Sequence, residues 1–459
     1  MILRSEATNN LDPGPGPQGA EKELPRELSL LDSTMINAGS MIGSGIFIVP
    51  ATIALQLHSS VAVLAVWVVG GIVSLFGALS VAELGAMMPR AGGMYVYLRE
   101  AYGPLWGFLY GWTAFACINT ASIAAIAATF ALYLSYFFPM GPAGRAVVAV
   151  ASIVFLTIVN CFGIRLGALV QNGFTLLKIG SLVLLAILSF VLSGGSFANF
   201  SPLLPVEPLS SLAGPLMLAM IAALFSYDGW IEITYVAGEV KQPGRTIPRA
   251  LFLSTVIVIG LYVAVTCGLL YVLPLSKMAG SSMVVSDAAV TFLGSWGAAA
   301  VSLAVIISTF GANNGFIFTC PRIYYAMAKE GIFFNWLANI SPKYRTPIGS
   351  LIAQAVLASV LVLSGTFDQL ATYVVFASWV FYAMSVVAVI RLRRSRPSAD
   401  RPYRTWGYPV TPVLFVLFSL YLVAETVIED PRDAAVGTAI ILAGIPLYYY
   451  WRRRAGRFL

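Results

Sequence analysis

Two long apolar runs in this chain are broken by residues that unwind a helix. The first reads Asn37-Ala38-Gly39-Ser40-Met41-Ile42-Gly43-Ser44-Gly45-Ile46-Phe47, the second Leu224-Phe225-Ser226-Tyr227-Asp228-Gly229-Trp230. A broken helix offers chemistry without charged side chains. The segment that restarts presents free N–H groups and the positive end of its dipole. The segment that stops presents free carbonyls. A small zwitterion such as an amino acid needs both. The amides of Ser44, Gly45 and Ile46 can hold its carboxylate. The carbonyls near Ile42, Phe225 and Ser226 can accept from its ammonium. Gly43 and Gly45 let a ligand reach the backbone, and Trp230 is placed to read the ligand's side chain. The competing reading is close helix packing, which small residues such as Gly39 and Gly43 also permit.

Further polar positions lie within or at the ends of the apolar runs. Lys178, in Leu176-Leu177-Lys178-Ile179-Gly180, is costly there and functional by default. Its alternative is to snorkel to the inner surface. As a desolvated amine it also keeps proton coupling open. Asp228 is expected to cap a half-helix starting at Gly229, through the N–H of Trp230 or Ile231, with substrate contact as the other reading. Glu232 can pair with a basic group, take a proton, or favour a cationic substrate. Asn313, with Asn314, either lines a path or cross-links helices. Glu83, near the inner end of the second span, reads as a structural anchor.

The elements that must position these groups follow from composition. Of 459 residues 59% are hydrophobic and 10% charged, against roughly 25% charged in soluble domains. The apolar runs are continuous rather than alternating, which selects a helix bundle over a β-barrel. Twelve spans fit, near 30–57, 60–88, 104–137, 145–163, 167–193, 213–238, 247–275, 291–318, 347–364, 368–391, 408–427 and 434–451. With the N-terminus inside, Arg145, Lys277 and Arg432 are external and Lys178 is intramembrane. The rest of the 27 Lys and Arg face inward, a strong positive-inside bias. The net charge of +7 is thereby a topology signal, and no nucleic-acid partner is expected. Residues 1–24, rich in Pro and Gly, read as a disordered cytoplasmic tail, and no signal peptide is expected. Cys117, Cys161, Cys267 and Cys320 suggest no disulfide framework. His58 reads as a solvated loop residue. No metal-ligand cluster or nucleophile motif appears, so neither an enzyme nor a cofactor is expected.

At these residues the chain resembles the amino acid–polyamine–organocation superfamily, and within it the bacterial branch of the L-type amino acid transporter group. The matching pieces are Gly43-Ser44-Gly45-Ile46-Phe47, Phe225 through Trp230, Pro89-Arg90-Ala91-Gly92-Gly93, Gly238-Glu239-Val240-Lys241-Gln242-Pro243, Ala328-Lys329-Glu330-Gly331 and Arg401-Pro402-Tyr403-Arg404. The resemblance implies an all-α polytopic membrane protein with a LeuT-type five-plus-five inverted repeat. Repeat one covers about 30–193 and repeat two about 213–391, with helices one and six discontinuous and two extra helices at about 408–451. It implies a transporter domain over 25–459 in a bacterial inner membrane, both termini cytoplasmic. It places Phe225 as an aromatic gate and Trp230 beside the side-chain pocket. It puts Lys178 where relatives hold sodium, with Ser308 and Thr309 as partners. The implied activity is sodium-independent movement of neutral L-amino acids by exchange or facilitation. Proton symport, or carriage of cationic amino acids or polyamines, is the alternative that Glu232 sustains. The loop Phe138–Gly144 lacks the cysteine that animal members use to attach a heavy chain, so no disulfide-linked heavy chain is expected.

Overall fold

The computed structural model describes residues 24–205, 208, 211–365, 367–429 and 431–455. The expected tail lies outside the described residues apart from Leu24. Among the described residues the chain is helical, with one isolated bridge between Leu28 and Val240. In chain order the α-helices are α1 (Leu30–Met41), α2 (Gly45–Gln56), α3 (Ser60–Met87), α4 (Met94–Tyr102), α5 (Pro104–Thr113), α6 (Asn119–Leu134), α7 (Pro142–Cys161), α8 (Ile164–Val191) and α9 (Ala213–Tyr227). Then come α10 (Pro243–Val272), α11 (Leu275–Ala279), α12 (Val284–Leu293), α13 (Trp296–Thr319), α14 (Pro321–Lys329), α15 (Ile348–Ser364), α16 (Phe367–Ser395), α17 (Val410–Glu429) and α18 (Pro431–Ala455).

Nine described helical stretches are long and apolar enough to cross a membrane, and a tenth forms if the pair α1 and α2, bent by 46° at its break, is one span. The expected sixth and ninth spans appear as shorter apolar helices, α9 of 15 residues and α15 of 17.

Burial is inverted relative to a soluble protein. On α8, Gln171, Thr175 and Lys178 are buried at helical spacing, while Leu169, Leu176, Leu177 and Leu184 are more than half exposed. A 3.6-residue period puts these two sets on opposite faces. The polar stripe faces the bundle and the leucines face outward, the arrangement a lipid-embedded helix requires.

The second break departs from expectation. α9 ends at Tyr227, and no α-helix resumes at Gly229. Residues 228–242 run through turns and two short 3₁₀ segments, Glu232–Thr234 and Ala237–Glu239. Two causes are visible. Gly229 has φ +96°, which an L side chain rarely adopts. The segment is also clamped from outside, because Glu27 and Leu28 donate backbone bonds to Glu239 and Lys241 donates back to Leu28. Asp228 therefore caps nothing at Trp230 or Ile231; its carboxylate accepts from the Tyr382 hydroxyl at 2.6 Å.

α5 and α6 form one span interrupted by a single π-helical turn, Ala114–Ile118. Such turns shift the register of the helix beyond them and are frequent beside functional sites.

Candidate functional site

The two breaks meet face to face. A Cβ on Gly45 would lie 2.4 Å from the Ser226 hydroxyl and 3.1 Å from its Cα. A Cβ on Gly229 would lie 3.0–3.1 Å from the backbone of Ser40 and Met41. Only glycine allows these approaches. Polar groups fasten the contact. The Tyr262 hydroxyl is 3.0 Å from the Met41 carbonyl and 2.9 Å from that of Ser226. The Asn37 amide donates to the Trp230 carbonyl at 3.0 Å and accepts from the Ile233 amide at 3.2 Å.

Beside this contact lies a small cavity of about 80 Å³, open on one side. Its wall includes Gly43, Ser44 and Gly45 from the first break and Phe225, Ser226 and Asp228 from the second. Phe225 is 48% exposed. The amides of Ser44, Gly45 and Ile46 donate to no protein acceptor among the described residues, whereas Phe47 already bonds Ser44. The start of α2 thus presents donors and a positive dipole end to a mainly apolar space. Among the described residues Asp228 is the one acidic or basic side chain in that wall.

Lys178 does not snorkel. It is fully buried, and its ammonium donates to the carbonyls of Gly39 at 2.7 Å and Ile42 at 2.8 Å. Ser308 donates to the same Ile42 carbonyl at 3.2 Å and to Gly43 at 2.9 Å. The freed carbonyls at the end of α1 are therefore held by side chains of α8 and α13. This bears on the expectation for Ile42: its carbonyl already accepts from Lys178, and the single Ser308 hydroxyl hydrogen is shared between it and the nearer Gly43 carbonyl. Thr309 is corrected as a partner of the break. Its hydroxyl bonds back to Val305 and Ile306 within α13.

Trp230 is placed differently from the sequence reading. It is 1% exposed, outside the cavity wall, with its ring against Tyr382 and Phe415 at centroid distances of 5.1 and 5.7 Å. It is core packing. Ile46 is likewise buried and outside the cavity wall. Glu232 is 3% exposed, accepts from the Thr319 hydroxyl, and lies 3.7 Å from the Cys320 sulfur; among the described residues it has no ion pair. Asn313 is buried with its carbonyl oxygen unpartnered. Asn314 cross-links α7 and α8 through Asn160 and Gln171. Glu83 anchors the far end of α3 to Arg393, Arg401 and Thr405.

Sequence reasoning missed the rest of the wall: Ser40 and Met41 on α1, Ser122, Ala125 and Ile126 on α6, Phe316 on α13 and Val374 on α16. Small and aliphatic residues on apolar helices carry no signal distinguishing a lining from a packing position. It also missed Asn37 and Tyr262, where a polar group inside an apolar run was the available clue.

An amino acid permease family model matches residues 28–450. Similar proteins include the serine/threonine exchanger SteT of Bacillus subtilis, 33% identical over 435 residues, with 94% of this chain and 98% of the relative covered. The b(0,+)-type amino acid transporter 1 of Mus musculus is 33% identical over 453 residues, covering 95% and 91%. The large neutral amino acids transporter small subunit 2 of Homo sapiens is 31% identical over 457 residues, covering 97% and 84%.

Proposed function

Because the chain belongs to the amino acid permease family, we propose that it exchanges neutral L-amino acids across a bacterial inner membrane, without sodium and by alternating access. The observation that carries this reading is the cavity at the two breaks, where unpaired amides at the start of α2 face a mainly apolar wall. The amides of Ser44, Gly45 and Ile46 take the substrate carboxylate. The carbonyls near Phe225 and Ser226 take its ammonium, and the aliphatic residues of α6 and α16 face its side chain. Phe225 closes over the ligand.

Sodium independence rests on Lys178. Its side-chain nitrogen donates to the Gly39 and Ile42 carbonyls, where a metal cation would otherwise cap the broken helix end. Counting α9 and α15 as crossings gives the twelve spans of a five-plus-five repeat with two extra helices, both termini on the basic inner side. In this reading no heavy chain is disulfide-linked to the loop 138–144, which carries no cysteine.

A second reading has one specific support. Asp228 puts a carboxylate in the cavity wall, which suits a substrate with a cationic side chain. Uptake into proteoliposomes loaded with unlabelled substrate separates the two. Alanine, serine and leucine are expected to exchange. Exchange of arginine or putrescine alone overturns the neutral assignment.

A further inference from the structure

Glu232 is a carboxyl that the binding geometry leaves unused. We infer that Glu232 is a proton-binding site, loaded and unloaded as the substrate moves; this rests on the transport reading above.

The position of Glu232 argues for it. Two cavity-lining residues, Asp228 and Phe316, lie on the two strips of chain that lead to it. Glu232 is four residues past Asp228, while its donors Thr319 and Cys320 are three and four residues past Phe316. The carboxyl thus sits between the second break and the end of α13, on the segments that continue from two cavity-lining residues.

Among the described residues its surroundings hold no cation to balance a negative charge. The titratable groups that face it are Asp228, Tyr235, Tyr110 of α5, Cys320, Tyr324 of α14 and Tyr382 of α16. All are acids. The helices α1 and α10, also packed against this segment, present no charged group to it. Arg322 of α14, the buried cation two residues beyond Cys320, is committed to Glu239 at 2.8 and 3.1 Å and to the Phe318 carbonyl. A lone carboxylate in such a place is expensive, and a second one nearby adds to the cost. A proton is the one cation small enough to neutralise it without a gap in the packing.

The step is a simple transfer. With the second break closed on α13, the Glu232 O–H bond stays formed and the group is neutral. Separation of the two elements removes the Thr319 donor and admits water from the cavity. The O–H bond then breaks, the proton passes to water, and the carboxylate is left hydrated. Substrate movement that opens and closes this contact thereby carries one proton.

Two measurements on the purified full-length chain test this. The first is infrared difference titration in nanodiscs across the neutral range. It should show a carboxylic-acid C=O band that is lost in Glu232→Gln and kept in Asp228→Asn. No band, or a band lost only in Asp228→Asn, overturns the assignment. The second follows serine and leucine in proteoliposomes. Exchange at equal pH inside and outside reads the transport function by itself. A one-unit inward proton gradient should then drive up to about tenfold accumulation per proton. Glu232→Gln should abolish that response and Glu232→Asp should retain it. A wild-type chain that exchanges but ignores the gradient overturns the inference while leaving the transport reading intact.

Discussion

The Lys178 ammonium and the Ser308 hydroxyl converge on one atom, the Ile42 carbonyl oxygen, at 2.8 and 3.2 Å. That oxygen ends the first half of a broken span. A lysine from α8 and a serine from α13 together satisfy what an unbroken helix would have satisfied itself.

Removing the lysine leaves the Gly39 carbonyl without its side-chain donor and Ile42 with one donor fewer. A buried acceptor left unmatched costs about 1–3 kcal/mol. Lys178→Ala should lower uptake at least about tenfold, the factor that some 1.4 kcal/mol sets. The chain should still elute as a single species in size-exclusion chromatography. Uptake close to wild type would show that the bridge is dispensable.

Gly45 and Ser226 set the spacing of the two breaks. Gly45→Ala places a methyl where the Ser226 hydroxyl stands, so initial rates should fall by about tenfold or more. Adding Ser226→Gly should restore part of the loss, since the Ser226 backbone remains within 3.1 Å. Strictly additive losses would deny the contact, because coupling is the signature of touching residues.

Phe225 and Trp230 should separate function from stability. Phe225→Ala removes a half-exposed cavity ring and should raise KM with little change in Tm. Trp230→Ala empties a buried site between Tyr382 and Phe415 and should destabilise by about 3–5 kcal/mol, seen as a drop in Tm or in folded yield. A Trp230→Ala chain with normal Tm and altered selectivity would reverse this assignment.

Glu100 lies on α4, outside the spans. Burial works against its ionisation, but hydrogen bonds from Arg99 and Arg396, both 2.8 Å, hold its carboxyl below the usual range. A lowered folded value contributes stability above the unfolded value, and that contribution is lost as pH falls through the folded one. The pair is partly exposed, so the effect is about 0.2–1 kcal/mol. Tm should therefore fall on acidification through the carboxylate range by more in wild type than in Glu100→Gln. Parallel pH profiles would contradict this.

Much of this architecture is legible in the sequence, and the illegible parts have physical reasons. The breaks show as glycine and polar residues inside apolar runs. Lys178 shows because a charge in such a run has to face inward. That Trp230 turns to the core does not show, because an aromatic ring next to a break has the same sequence signal in a pocket or in packing. The failure of the second break to resume as an α-helix depends on a clamp from Glu27 and Leu28, about two hundred residues distant, which no local pattern encodes. The engaged state of the Ile42 carbonyl is equally non-local, since its donors come from two other helices.

The most direct test of a lysine-stabilised, sodium-independent carrier is counterflow. Proteoliposomes are preloaded with unlabelled serine or leucine, and entry of the labelled amino acid is followed with all sodium replaced by choline. The account predicts the same initial rate with and without sodium. Strict dependence on sodium would contradict it.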